Sequence, residues 1–290
     1  MDQAEKLRRL MKERNSLPPI KAQSSIDIYT IASGKGGVGK TNFTVNLAIT
    51  LQKRGKRVLI IDADLGLANV DIVLGILPKY TLYDVLFHEK SLGDAIIEGP
   101  KGIKILPGGS GIMEMITLDV QKQETLAKEF FTLEGIDTIL IDTGAGISKN
   151  LLSFITFSQK SILVTTPEPT SLTDAYSVIK VLAKYQLKKK IGIVVNRCPN
   201  VHIAQTTFEK LSKTADTFLN ISLEDIGYIM DDVRVAHSVM DQVPFVIQYP
   251  KSLASKCINK IADHFVGQRR DYKKIKSIQE VYNRLLKVFG

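Results

Sequence analysis

A doubly wound, mostly parallel α/β sheet with helices on both faces is the fold class this 290-residue sequence predicts, with a helical appendage at each end. Three observations predict it. Short continuous apolar runs alternate with helical stretches from residue 27 to about 267, the pattern of strands buried on both faces and joined by crossover helices. A glycine-rich turn joins the first such run to the first helix. Carboxylates or an amide close several of the runs, at the ends where ligands bind in open α/β sheets.

The first strand is Asp27-Ile28-Tyr29-Thr30-Ile31-Ala32, and the first helix runs from Thr41 to about Lys53. Between them lies Ser33-Gly34-Lys35-Gly36-Gly37-Val38-Gly39-Lys40-Thr41. Four glycines let consecutive backbone N–H groups turn inward around a phosphate, and the following helix points its positive end there. Lys40 is placed to reach the β- and γ-phosphates, and the Thr41 hydroxyl to coordinate Mg2+. Gly34, Lys35, Gly36, Gly37, Val38, Gly39, Lys40, Thr41 and Asn42 are thus the nucleotide-contacting candidates. Lys35 sits too early in the loop for the task of Lys40. A cation there points out of the phosphate cradle or across to a neighbouring molecule, unless it is a plain solvated loop lysine.

The string KGGVGKT resembles the deviant phosphate loop of the MinD/ParA ATPase superfamily. The resemblance implies ATP as the nucleotide and an ATP-bound homodimer in which Lys35 reaches the partner's nucleotide in trans.

Gly55 is a C-cap candidate for the first helix, and Arg57-Val58-Leu59-Ile60-Ile61 is the second strand. It ends in Asp62-Ala63-Asp64, two carboxylates on one face of an extended segment. Each alone fits a turn or a helix cap. The segment resembles the first switch region of MinD-type ATPases, which implies Asp62 near the water shell of Mg2+ and Asp64 orienting or deprotonating the attacking water. Thr138-Ile139-Leu140-Ile141 closes on Asp142, a carboxylate expected to hold Mg2+ through water. Gly144 stands where MinD-like chains often carry proline, a departure that leaves the metal role intact. Ile162 to Thr166 leads into Pro167-Glu168-Pro169 and a helix from about Ser171. Ile191 to Val195 leads into Asn196-Arg197. An amide there can read both edges of adenine, as the resemblance implies, or cap the loop. Lys35, Lys40 and Asp64 are the catalytic candidates; Thr41, Asp62 and Asp142 the metal ligands; Asn196 and Arg197 join the nucleotide set.

Two terminal segments flank the ATPase domain expected over residues 22–267. Residues 1–21 carry a net charge of +3 and residues 268–290 a net +5. The chain total is +9, so the 246 residues between hold only +1. That distribution weakens a nucleic-acid partner, which a high pI usually invites. Asp2 to Met11 is a short amphipathic helix pattern with a capping box at Asp2 and Glu5, stopped by Pro18-Pro19. It is marginal alone, so it docks on a partner or on its own domain. The string DQAEKLR resembles the activator motif of the FlhG branch of MinD-like flagellar-number regulators. That resemblance implies binding to the SRP-type GTPase FlhF, with Gln3 offered at its active site and Leu7 on the docking stripe.

At the other end, Ile275, Ile278, Tyr282, Leu285, Leu286 and Phe289 lie along one stripe between Asp271 and Gly290, with lysines and arginines at its borders. This is the pattern of an interfacial anchor on an anionic membrane, though the stripe also fits a groove on the domain or a short coiled coil. No apolar run approaches the ~20 residues that span a bilayer. The charged N-terminus is no secretion signal. Cys198 and Cys257 form no CxxC pair, and the four histidines show no metal spacing, so Mg2+ is the one metal expected. The reading is an ATP-dependent dimerising switch ATPase, cytoplasmic and reversibly peripheral at the membrane, which governs the number and placement of flagella. A division-site or chromosome-partitioning ATPase and a non-hydrolysing nucleotide-binding scaffold are the alternatives.

Overall fold

The computed structural model of the protein describes residues 26–64, 70–88, 90–108 and 135–267. Gln3 and Leu7, the stripe from Ile275 to Phe289, and Leu65 to Asn69 lie outside the described residues. The elements in chain order are β1 (Asp27–Ser33), α1 (Lys40–Lys53), β2 (Val58–Ala63), α2 (Val70–Leu74), α3 (Leu82–Phe87) and α4 (Leu92–Ala95). Then come β3 (Ile97–Glu98), a 3-10 turn (Pro100–Gly102), β4 (Lys104–Pro107), β5 (Thr138–Ala145), α5 (Lys149–Phe157) and β6 (Lys160–Thr165). The chain continues through α6 (Pro169–Lys184), β7 (Lys190–Cys198), α7 (Val201–Leu219) and β8 (Ser222–Met230). Three more helices follow: α8 (Val233–Met240), α9 (Phe245–Gln248) and α10 (Leu253–Gly267).

Eight strands form one sheet in the order β3-β4-β2-β5-β1-β6-β7-β8, parallel throughout except for the β3–β4 pair. β1 lies at the centre, where the chain goes to one side for β2 to β5 and to the other for β6 to β8. Such a reversal opens a crevice at the carboxyl ends of the strands, and the glycine-rich loop leaves β1 at that place. Strand burial follows strand position. Six of the seven residues of β1 are buried, whereas only Ile226 and Ile229 are buried along the edge strand β8, as expected when one edge faces water.

Helices cover both faces. On one, α1, α9 and α10 bury Phe43, Leu47, Phe245, Ile258 and Ile261 against Ile31, Ile60 and Val194. On the other, α6 and α7 bury Val178, Ile179, Leu182 and Leu211 against Leu163 and Ile193. Leu82, Leu92 and Phe154 cover Leu59 and Ile139 beside them. Each fully buried isoleucine or leucine contributes roughly 1.5–3 kcal/mol, so α1 and α10 are fixed firmly to the sheet.

Several boundaries move by a residue or two from the sequence reading. α1 begins at Lys40, because Gly39 holds φ 89 and turns the chain directly into the helix. α6 begins at Pro169, whose fixed φ suits a first helical position. β7 runs on to Cys198, so Asn196 and Arg197 lie within the strand and not after it. β2 likewise includes Asp62.

Candidate nucleotide site

Asp142 organises the site. It stands near the end of β5, fully buried. Its Oδ1 accepts a hydrogen bond from Lys40 Nζ at 3.1 Å, and its Oδ2 one from Thr41 Oγ1 at 2.7 Å. Thr44 Oγ1 lies 2.9 Å from Oδ1 and 3.0 Å from the carbonyl of Lys40, so its single proton is shared. A buried carboxylate is tolerated only with such partners. Lys40 is itself buried, and it is tied to Asp142 by an ion pair. One turn of α1 therefore supplies an ammonium and two hydroxyls to one carboxylate. Thr44 is absent from the sequence reading, although its place three residues after Thr41 puts it on the same helix face.

The loop before α1 is built for an anion. Gly39 needs its left-handed conformation, and a β-carbon there would stand 2.3 Å from Asn196 Nδ2. At Gly34 a β-carbon would meet the backbone of Asp174 in α6 at 2.3 Å, so no larger residue fits where the loop crosses that helix. Gly36 and Gly37 face open space. Gly39 offers no side chain to cap α1, and the orphan N–H groups of a helix start are a ready anion site.

These residues fit Mg-ATP. The open cradle, an uncapped helix start and a buried lysine suit phosphates. The Thr41 hydroxyl beside the Asp142 carboxylate pairs two hard oxygen donors of the kind Mg2+ prefers. Mg-ATP, when held there, would supply the phosphoryl group, and its Mg2+ would help neutralise the developing charge. Lys40 is held where it can exchange Asp142 for a phosphate oxygen.

Asp62 is the register partner of Asp142 across β2 and β5 and is equally enclosed. Its Oδ1 accepts from the backbone N–H of Asp64 at 3.1 Å and its Oδ2 from that of Val70 at 3.2 Å. Asp62 thus fixes both ends of the 64–70 segment in addition to standing beside Asp142. Asp64 follows the strand, half-buried, and a β-carbon on Gly144 would lie 3.3 Å from its Oδ1. The Asp64 carboxylate therefore stands over the last residues of β5, Thr143 to Ala145, which run on as strand past Asp142. Small residues at 144 leave it that position.

Lys35 leaves the cradle. Its Nζ donates to Glu168 Oε2 at 3.1 Å and to Thr170 Oγ1 at 3.0 Å, at the start of α6. Lysine and glutamate are 39% and 58% exposed, so the pair is a surface contact worth at most about 1 kcal/mol and readily exchanged. Asn196 does not stand open at a strand end. Its Nδ2 donates to the carbonyl of Val38 at 2.8 Å, and its Oδ1 accepts from the N–H of Arg197 at 2.9 Å. The amide thus braces the phosphate loop from β7. Arg197 is exposed, with φ 53. Asn42, in the first turn of α1, is half-buried, and its carbonyl accepts from Asn46 Nδ2 at 2.8 Å.

Comparison with known proteins agrees with this geometry. Residues 29–245 match the family model of the CobQ/CobB/MinD/ParA nucleotide binding domain. The antiactivator FleN of Pseudomonas aeruginosa is 37% identical over 253 residues, 87% of this chain and 88% of that protein. The flagellum site-determining protein YlxH of Helicobacter pylori is 31% identical over 296 residues, 100% of this chain and 99% of that one. Among solved structures, the MinD cell division protein of Aquifex aeolicus superposes with a TM-score of 0.66 at 28% identity, over 86% of this chain and 100% of its own. MinD of Pyrococcus horikoshii, solved with Mg-ADP, gives 0.64 at 30% identity, over 83% and 96%. A phosphate loop closed on Asp142, on a sheet of this order and with these relatives, leaves one assignment: the chain belongs to the CobQ/CobB/MinD/ParA nucleotide-binding family and is a MinD-like ATPase.

Proposed function

We propose that the protein is an ATP-driven dimerising switch that regulates the number and placement of flagella. The observation that carries the switch is the divided use of the two loop lysines. Lys40 is buried on Asp142 in cis, whereas Lys35 turns outward onto an exposed, exchangeable partner. A second subunit docking on that surface would take Lys35 from Glu168 and offer it a nucleotide. Asp64 over Gly144 would then act on water, and hydrolysis would reset the monomer. Similarity along the full length of the H. pylori flagellum site-determining protein supports the flagellar role. On this reading residues 1–15 act on an SRP-type GTPase and residues 271–290 hold the ATP dimer at an anionic membrane, two weak anchors gaining by avidity.

A pull-down and GTPase assay with peptide 1–15 tests the flagellar branch. The peptide is expected to accelerate GTP turnover by an SRP-type flagellar GTPase, with Gln3→Ala blunting the effect. An inert peptide would remove that branch and leave the ATPase. MinD relatives at 30% identity over 83% of this chain favour a division-site role as the second reading, for which the N-terminal peptide has no GTPase to act on.

A further inference from the structure

A second basic site lies on the far side of the sheet from the phosphate loop. Lys160 and Lys190 are the first residues of β6 and β7, at the amino ends of strands whose carboxyl ends face the nucleotide. With Lys188, Lys189 and Gln159 they wall a cleft of about 140 Å³. Its floor is Gly192, flanked by Ile162 and Ile226; a β-carbon on Gly192 would meet Ile226 at 2.7 Å. The cleft thus exists because β7 carries no side chain there. Four lysines line it against one carboxylate, Glu224, in a body whose 246 central residues carry a net charge of only +1.

The charges are partly organised. Lys188 Nζ bonds to the carbonyl of Ser158. Lys190 pairs with Glu224 at 3.1 Å, and His264 of α10 stands 3.3 Å from the same carboxylate. Burial, with Lys190 adding to it, lowers the pKa of the Lys160 ammonium despite Glu224 and Asp27 nearby. An anion in the cleft would relieve that cost.

We propose that this cleft binds a phosphate-bearing group, and that its source is the headgroup of an anionic phospholipid. At about 140 Å³ the space is below the ~300 Å³ of drug-sized ligands, but holds several waters of about 30 Å³ each or one phosphate group. Lysine ammoniums bind phosphate as point charges without demanding a fixed fork. The choice of lipid comes from position. Phe265 rests on Tyr29 of β1 with ring centroids 4.9 Å apart, which pins the end of α10 to this edge of the sheet. The chain leaves α10 at Gly267, three residues after His264, and continues into residues 268–290 with net charge +5. A membrane engaged by residues beyond Gly267 would meet the molecule at the end of α10, where His264 stands beside the cleft's Glu224. The lipid source rests on the membrane reading above; the anion site does not.

The test uses full-length protein with ATP, sedimented with phosphatidylglycerol–phosphatidylcholine vesicles. Lys160→Gln with Lys189→Gln is compared with Lys180→Gln and Lys213→Gln, which remove the same charge from exposed positions on α6 and α7. The cleft pair is expected to weaken binding about thirtyfold, from roughly 1 kcal/mol per basic residue at an anionic surface and about 1.4 kcal/mol per tenfold. The control pair should change it by less than about twofold, and Lys160→Arg with Lys189→Arg should restore it. Lys189→Gln alone, at an exposed position, covers the case in which Lys160→Gln fails to fold.

Equal losses in both pairs, or none in either, overturn the site. If binding then vanishes on deletion of residues 271–290, the membrane reading stands without it. If wild type ignores vesicles, inorganic phosphate is titrated and the amide signals of Gln159 and Gly192 followed by NMR. Shifts abolished by the cleft pair would retain the anion site and overturn the lipid source; no shifts would overturn both. Duplex DNA binding lost in the cleft pair, with vesicle binding intact, would reassign the cleft to nucleic acid and overturn the proposal.

Discussion

At Asp142 a fully enclosed carboxylate depends on one ammonium and two hydroxyls. Removing a partner from a buried ion pair leaves an uncompensated charge and costs roughly 3–5 kcal/mol. Lys40→Ala is therefore expected to lower stability by about that amount in urea unfolding without nucleotide, and to abolish ATP binding in calorimetry. A variant that loses ATP binding at unchanged stability would contradict the role given to the pair. Thr44→Val should cost about 1.5 kcal/mol, the low end for one hydrogen bond to a charged group. Cys198 behaves differently. Burial pushes its thiol up to about 12, so the folded protein keeps it protonated where an unfolded chain ionises from about 9. Its contribution is intact below pH 9 and falls as pH rises toward 12, because only the unfolded state then releases the proton. At pH 8 native Cys198 should resist thiol reagents that label it at once in denaturant.

Helices α8 and α10 share a cap. Asp232 Oδ1 accepts from the N–H of Arg234 at 3.1 Å, and its Oδ2 from Leu253 and Ala254 at 3.1 and 3.4 Å. Two helix starts thus rely on one side chain. At about 1 kcal/mol per cap, Asp232→Ala should cost about 2 kcal/mol in thermal or urea unfolding, and Asp232→Asn much less. Strand register matters equally. Pairing Asp62 with Asp142 across β2 and β5 is what brings the two acids side by side. A slip of one residue would turn either to the other face.

For the whole molecule, the placement of Lys35 predicts separable defects. Lys35→Ala should bind ATP as a monomer, because Lys40, Thr41 and Asp142 are untouched, yet lose the ATP-dependent dimer and hydrolysis. Asp64→Ala should form the dimer and stay in it. Light scattering with ATP and with a non-hydrolysable analogue reads both. Normal turnover by Lys35→Ala would remove the role in trans, and a wild type monomeric under all conditions would favour a scaffold.

The sequence by itself determined what short segments impose. Short β-branched apolar runs, bounded by turns and alternating with helical stretches, read as buried strands; Gly34 to Thr41 reads as a tight turn into a helix; acids that end such runs then stand at the carboxyl edge of the sheet. Strand order, and the partners that cross it, were decided by tertiary structure alone. Thr44 meets Asp142 from 98 positions away, Lys35 meets Glu168 from 133, and Asn196 meets Val38 from 158. No local pattern encodes those contacts, because they arise where separate helices and strands are packed onto one sheet. The Gly192 cleft has the same origin. A glycine within an apolar run is unremarkable until β6 and β8 close around it.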